Sequence, residues 1–268
     1  MELRTFFWDA KGGRPDSPWR VGNAGDVLNR DLLEFVYGGV RVRNAPAAGE
    51  RLLVVGSTVH RMLDGDVVCG VGHKGSPIPP PDQVARVEIR GVRGPYTEAA
   101  LRDAGHDVSG IRFRYDPGLL VPTMYPDLVA SVAAEPGRVA FVPHYRERER
   151  YADRRDVHVV DIDCTPRDLL EQVLRAEHVY TSSLHGLVFA HAVGRPATLV
   201  APLTPEPELK YRDYAASVGL AWTTPPDLDG AIRSPKPTSP LHVAVTLDDF
   251  AFPTLAELRE RRVLRGQA

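Results

Sequence analysis

Apolar residues along this chain recur with two alternating spacings. Leu3–Trp8, Arg51–Val55 and Val67–Val71 are short runs of β-type residues and read as strands, the last two ended by glycine. Val27–Tyr37 places apolar residues at 28, 32, 35 and 36 on one helical face and stops at Gly38-Gly39. Pro95–Ala104 predicts a helix with proline in its first turn and Gly105 beyond its end, and Phe113–Tyr115 a further strand. The stretch from Pro117 to Pro126 carries neither period, so a domain boundary is expected near residue 122.

The second half repeats the style. Arg138–Val142, Val157–Ile162, Val179–Ser182 and Ala197–Ala201 read as strands. Thr165-Pro166-Arg167-Asp168 combines a capping box with proline at the first helical position, opening a helix to about Ala176. Leu184–Val193, stopped by Gly194, and Glu208–Val218 predict two more helices. Pro225–Pro240, with five prolines, reads as a linker or surface loop, and a last helix is expected over Thr254–Leu264.

Strands alternating with helices predict an α/β fold of two Rossmann-like domains, their parallel sheets facing a cleft. The expected units are 1–122 and 123–247, with a C-terminal helical segment, 248–268, that could pack back on the first. Ligands of such sheets bind beyond the carboxyl ends of the strands, which decides where to look for chemistry.

Composition narrows the classes of function. With 43% hydrophobic and 25% charged residues among 268, the chain has the balance of a globular protein. A net charge of −2 and the lack of a long basic run argue against nucleic-acid binding through phosphate contacts, so any anion site must be local. Cys69 and Cys164 form no metal or redox spacing, and the histidines fit no two-histidine metal pair, so no metal and no cofactor are expected. The start of the sequence shows no secretory signal pattern, and no apolar run approaches the roughly 20 residues that span a bilayer. A cytoplasmic protein is expected, with peripheral membrane attachment left open. Lys11, Lys74, Lys210 and Lys236 are the only lysines among 33 basic residues.

Tyr180-Thr181-Ser182-Ser183-Leu184-His185-Gly186-Leu187 sits where a strand passes into a helix. Free N–H groups and the positive helix end suit a phosphate or carboxylate there, and His185 adds a titratable group. Gly91-Val92-Arg93-Gly94-Pro95 has the same architecture, offering Arg93 as a fork for an anion. Asp26 reads either as the cap of the first helix or as a carboxylate reaching a sugar hydroxyl, with Gly22 and Gly25 letting its loop come close. Pro143-His144-Tyr145 follows a strand, Asp116-Pro117 reads as a turn or a site element, and Lys210 lies on a helix. Neither a P-loop nor a serine-nucleophile elbow occurs.

In order along the chain, Asn23-x-Gly25-Asp26-x-Leu28, Gly56-Ser57 with His60, Val92-Arg93-Gly94-Pro95-x-Thr97, Asp116-Pro117-x-Leu119-Leu120, Pro143-His144-Tyr145, Ser182-Ser183-Leu184-His185-Gly186-Leu187, Gly194-x-Pro196 and Lys210 resemble the polysaccharide pyruvyl transferase family. The resemblance implies a glycosyltransferase-B-like pair of domains, phosphoenolpyruvate as donor and a saccharide or glycan precursor as acceptor. It carries the catalytic histidine onto His185, the anion-clamping arginine onto Arg93 and the donor-binding lysine onto Lys210, with Ser182, Ser183 and Leu184 beside the donor. Asn23, Gly25, Asp26, His60 and Asp116 fall to the acceptor, and Asp26 or His144 serves its hydroxyl. The chain departs from the family at Ser183, where many members carry arginine. A nucleotide-sugar glycosyltransferase of the same architecture and a non-catalytic carbohydrate-binding relative are the alternatives.

Overall fold

A computed structural model describes residues 1–12, 16–235 and 238–266. Lys236 and part of the 225–240 stretch lie outside the described residues. The chain opens with β1 (Glu2–Thr5), crosses through α1 (Ala24–Tyr37) and returns as β2 (Arg41–Asn44), parallel to β1 along its whole length. It then moves to the other edge of β1 and lays down β3 (Leu52–Leu53), β4 (Val67–Cys69), β5 (Glu88–Val92), α2 (Pro95–Asp103) and β6 (Phe113–Arg114), every neighbouring pair of strands parallel. A buried Thr5 hydroxyl donates to the Leu52 carbonyl at 2.7 Å and fastens β1 to β3 where their ladder is shortest.

Two short helices, α3 (Val121–Met124) and α4 (Pro126–Ser131), occupy the proline-rich stretch. The second sheet follows: β7 (Val139–Val142), β8 (His158–Val159), α5 (Pro166–Arg175), β9 (His178–Thr181), α6 (Leu184–Ala192) and β10 (Ala197–Leu199). Its order is β10-β9-β7-β8, all parallel. α5 begins as the sequence predicts: the Thr165 hydroxyl accepts from the Asp168 N–H, and the Asp168 carboxylate accepts from the Thr165 N–H. α6 is buried on every side, which its run of small and apolar residues allows.

The remainder is α7 (Leu209–Ser217), α8 (Leu228–Arg233), α9 (Leu255–Glu260) and β11 (Leu264–Arg265). α8 falls inside the stretch expected to be a linker, capped by Asp227 on the Gly230 N–H. The last predicted helix is shorter than expected. It ends at Glu260, Arg262 takes a left-handed conformation, and the chain turns back as β11, antiparallel to β1.

One buried apolar cluster joins the two sheets: Leu28, Leu32 and Val54 share it with Val142, Leu170, Val173 and Val188. Helix pairs from the two halves, α1 with α5 and α2 with α7, pack directly. In each sheet the chain leaves one strand to either side: β1 lies between β2 and β3, and β7 between β8 and β9. At such reversals the loops beyond the strand ends diverge and leave a crevice. No helix among the described residues is long and apolar enough to cross a membrane.

Candidate active site

The loops after β1, β3, β7 and β9, those flanking both reversals, enclose a cavity of about 250 Å³. Phe6 and Trp8 come from the β1 loop, Gly56, Ser57 and His60 from the β3 loop, and Lys74 from the segment beyond β4. His144, Tyr145 and Arg146 follow β7, Ser183, Leu184 and His185 follow β9, and Glu206 and Lys210 lie before and within α7. Asn23 and Asp26 at the start of α1 complete the wall.

Asp26 and His185 share the cavity because the amino ends of α1 and α6 abut. A side chain on Gly25 would overlap the His185 ring, so glycine is what lets the two helix starts touch. His185 is buried, and its Nε2 has no hydrogen-bond partner. Burial lowers its pKa, with the nearby Asp116 charge opposing and Arg93 and Lys210 assisting. It therefore waits as a neutral imidazole with a free ring nitrogen. The N–H groups of the first turn of α6 have no partner within the helix and add positive potential beside it.

Asp26 accepts a 2.6 Å hydrogen bond from the Asn23 amide. Burial nevertheless raises its carboxyl from 3.8 to about 7, against the pull of Asn23, Lys210 and Lys74. The loop that brings Asn23 to this position is held from the other half of the molecule. The buried Asp163 carboxylate accepts from the N–H groups of Arg20, Val21 and Gly22 at 2.8, 2.8 and 2.9 Å, and Asn23 bridges to Asp163.

Lys210 donates to Glu206 Oε2 at 2.8 Å and lies 3.3 Å from His144 Nε2. Its pKa is lowered by burial, with Glu206 opposing. His144 is pushed down to about 3 by burial and by the Lys210 charge, so it is neutral near pH 7 and its Nε2 accepts from the lysine. His60, lowered to about 4 by burial and the Lys74 charge, is neutral as well. At the mouth, Trp8 packs on Tyr145 with ring centroids 4.7 Å apart and meets Trp19 edge-on at 6.0 Å.

Of the residues expected from sequence, Asn23, Asp26, His60, His144, Ser183, Leu184, His185 and Lys210 line the cavity. Arg93, Gly25, Asp116 and Ser182 do not; each sits one layer behind it. Arg93 is fully buried and its donors are engaged: Nε with Asp213 at 3.2 Å, Nη1 with the Ser57 hydroxyl at 2.7 Å and Nη2 with the His73 carbonyl at 2.9 Å. Asp116 is buried and caps the turn that follows, accepting from the Gly118 N–H at 2.8 Å, while its Oδ2 is unpaired. The Ser182 hydroxyl accepts from the His144 N–H and donates to the buried Glu147, fixing the loop that carries His144. Gly25 faces His185.

Lys74, Glu206 and Trp8 line the cavity without having been expected there, and Ser57 and Tyr145, which stood in quoted motifs without a role of their own, line it as well. The scarcity of lysine and the glycines that surround it at 70, 72 and 75 were the sequence signals that touched Lys74. Among the described residues no group of three or more His, Cys, Asp or Glu side chains is placed to hold a metal ion.

Compared with known proteins, the chain is 34% identical over 141 residues to the uncharacterized protein L143 of Acanthamoeba polyphaga mimivirus, covering 48% of this chain and 47% of that one. The chain thus spans about half the length of the curated relative it matches. No solved structure matches it. Arg93, Asp116, His144 and the Ser182–His185 segment fall within a stretch that matches a family model, whereas Asp26, Lys74 and Lys210 fall outside it. Residues 83–203 match the family model of the polysaccharide pyruvyl transferases, the family that the motifs resemble.

Proposed function

We propose that the protein transfers the pyruvyl group of phosphoenolpyruvate to two hydroxyls of a saccharide, forming a ketal and releasing phosphate. The observation that carries this reading is the meeting of His185, Asp26 and Lys210 on one small cavity at the strand-order reversals of both sheets. The cavity, about 250 Å³, brings Lys74, Lys210 and the start of α6 to one wall, which suits a compact anion. The two sheets then act as a glycosyltransferase-B-like pair, the first half facing the acceptor and the second the donor.

In this reading the donor's carboxylate and phosphate lie against Lys210 and the first turn of α6. Their negative charge raises the basicity of the buried His185 imidazole, so the proton it needs is taken up as the donor binds. His185 delivers that proton to the methylene carbon, which becomes the methyl group and leaves an oxocarbenium-like centre at C2, stabilised by the adjacent anions. A sugar hydroxyl adds to C2 and gives its proton to Asp26, whose pKa of about 7 allows it to take the proton and pass it on near neutrality. The second hydroxyl attacks the same carbon, its proton leaves with the departing phosphate, and the ketal closes. Trp8 and Tyr145 at the mouth offer apolar faces to the sugar ring.

Phosphate release with phosphoenolpyruvate and a panel of hexosides tests the reading. His185→Ala is expected to stay folded and to lose turnover by at least about 100-fold, the usual contribution of a general acid or base. Release from uridine or guanosine diphosphate sugars, with no response to phosphoenolpyruvate, would establish the glycosyltransferase instead.

A further inference from the structure

We propose that Lys74 is a second direct anion-binding cation of the cavity, beside Lys210, and that the buried Arg93 positions it rather than touching the ligand. The assignment rests on the pyruvyl-transfer reading only for the identity of the anion. The site chemistry itself requires a phosphate or carboxylate.

The cations around the cavity are not equivalent. Arg93 is 0% exposed, and Asp213, Ser57 and the His73 carbonyl each take one of its three nitrogens. Arg146 is paired with Glu206 at 2.9 Å, and Lys210 with the same carboxylate at 2.8 Å. Arg61 is exposed at the rim and leans over the Phe6 ring. Lys74 lines the cavity, and among the described residues it has no ion-pair or hydrogen-bond partner. Its charge is nonetheless felt by Asp26, His60, His144 and Lys210, groups from four separate segments. An ammonium without an ion-pair partner, on the wall of a cavity where Lys210 and Arg146 share one carboxylate, leaves a charge that an anionic ligand would neutralise.

The backbone beneath Lys74 supports the assignment. Gly72 and His73 belong to no strand or helix, yet all four of their main-chain polar groups are tied to distant residues. The Gly72 N–H donates to the Gly56 carbonyl at 2.8 Å, and its carbonyl accepts from the Val59 N–H at 3.2 Å. The His73 N–H donates to the Thr97 hydroxyl at 2.8 Å, and its carbonyl accepts from Arg93 Nη2 at 2.9 Å. The Thr97 hydroxyl in turn donates to Asp213 at 2.6 Å, the carboxylate that also takes Arg93 Nε. A flexible lysine springing from so fixed a platform loses less freedom when it closes on a ligand. Arg93 thus holds three parts of the site in register: Ser57 on the wall, the base of Lys74, and, through Asp213, the helix that carries Lys210.

Calorimetric titration of the 268-residue chain with phosphoenolpyruvate and with inorganic phosphate, at low and moderate salt, tests this. Lys74→Gln is expected to weaken both ligands about 10- to 100-fold with an unchanged melting temperature, and Lys74→Arg to recover most of the loss. Arg93→Lys should weaken the same two ligands, and the loss in the double variant should be smaller than the sum of the two single losses, because Arg93 acts in part through Lys74. Binding by Lys74→Gln within about twofold of the parent overturns the proposal while leaving the pyruvyl-transfer reading intact, and additive losses overturn the positioning role of Arg93. If the parent binds phosphate but not phosphoenolpyruvate, and Lys74→Gln loses the phosphate, the anion site stands and the transfer reading falls. A parent that binds neither ligand refutes both.

Discussion

Asp213→Asn is the sharpest test of how the two halves are joined. Arg93 comes from the end of β5 and Asp213 from α7; both side chains are 0% exposed, and their ion pair is 3.2 Å long. The carboxylate also accepts from the Thr97 N–H at 2.9 Å and from its hydroxyl at 2.6 Å. A side chain on Gly94 would strike the Asp213 main-chain oxygen, so α7 is pressed onto the start of α2 and the pair cannot drift apart. Asparagine fills the same volume but removes the charge, leaving the guanidinium buried without a counter-ion. Breaking a buried pair from one side costs about 3–5 kcal/mol, a sizeable share of the roughly 5–15 kcal/mol that holds a typical domain folded. At about 2–4 °C per kcal/mol for a chain of this size, the melting temperature should fall by about 6–20 °C. Thermal and urea unfolding followed by circular dichroism measure it directly. Arg93→Met added to Asp213→Asn removes the stranded charge and should recover part of the loss. A single variant within about 1 kcal/mol of the parent, or a double variant that simply adds two penalties, would refute the reasoning that this buried pair is what clamps the halves.

Two further outcomes follow from the same geometry. The Asp26 carboxyl binds its proton more tightly in the folded protein, at about 7, than at its ordinary 3.8, because of burial. Ionising it therefore costs stability that is absent below about 4, accrues between about 4 and 7 and stays constant above; Asp26→Asn should melt higher than the parent at pH 8, match it near pH 4, and lose acceptor-dependent turnover. Gly25→Ala forces a methyl into the His185 ring, so phosphate release should fall by more than tenfold while circular dichroism still reports a folded chain, with the ring displaced as seen by its histidine NMR resonances.

Much of the fold was written locally. The period of the apolar residues marked α1, α5, α6 and most of the strands, and Thr165, Pro166 and Asp168 fixed the start of α5 through bonds that span three residues. The strand-to-helix passage at Ser182–His185 and the loop at Asn23–Asp26 were also legible, because helix starts and cleft loops have compositional signatures. β2 was not, since Arg41–Asn44 alternates polar residues at a half-exposed edge and gains its strand character only from β1. The short β11 was hidden for a similar reason: its turn at Arg262 is set by pairing with Glu2 and Leu3, over 260 residues away in the chain.

The site divides along the same line. Residue types and spacing identified which side chains could do chemistry, but not which of them face the cavity. Arg93 and Lys74 looked, from sequence, like a binding arginine and an ordinary lysine. Asp213, 120 positions from Arg93, holds that arginine inside the protein, whereas Lys74 reaches the cavity wall. Likewise Gly25 gains its meaning from a histidine 160 positions on. Short-range preferences are read from neighbours in the chain, whereas the direction a charged side chain takes depends on which distant partner satisfies it, and only the packed structure supplies that partner.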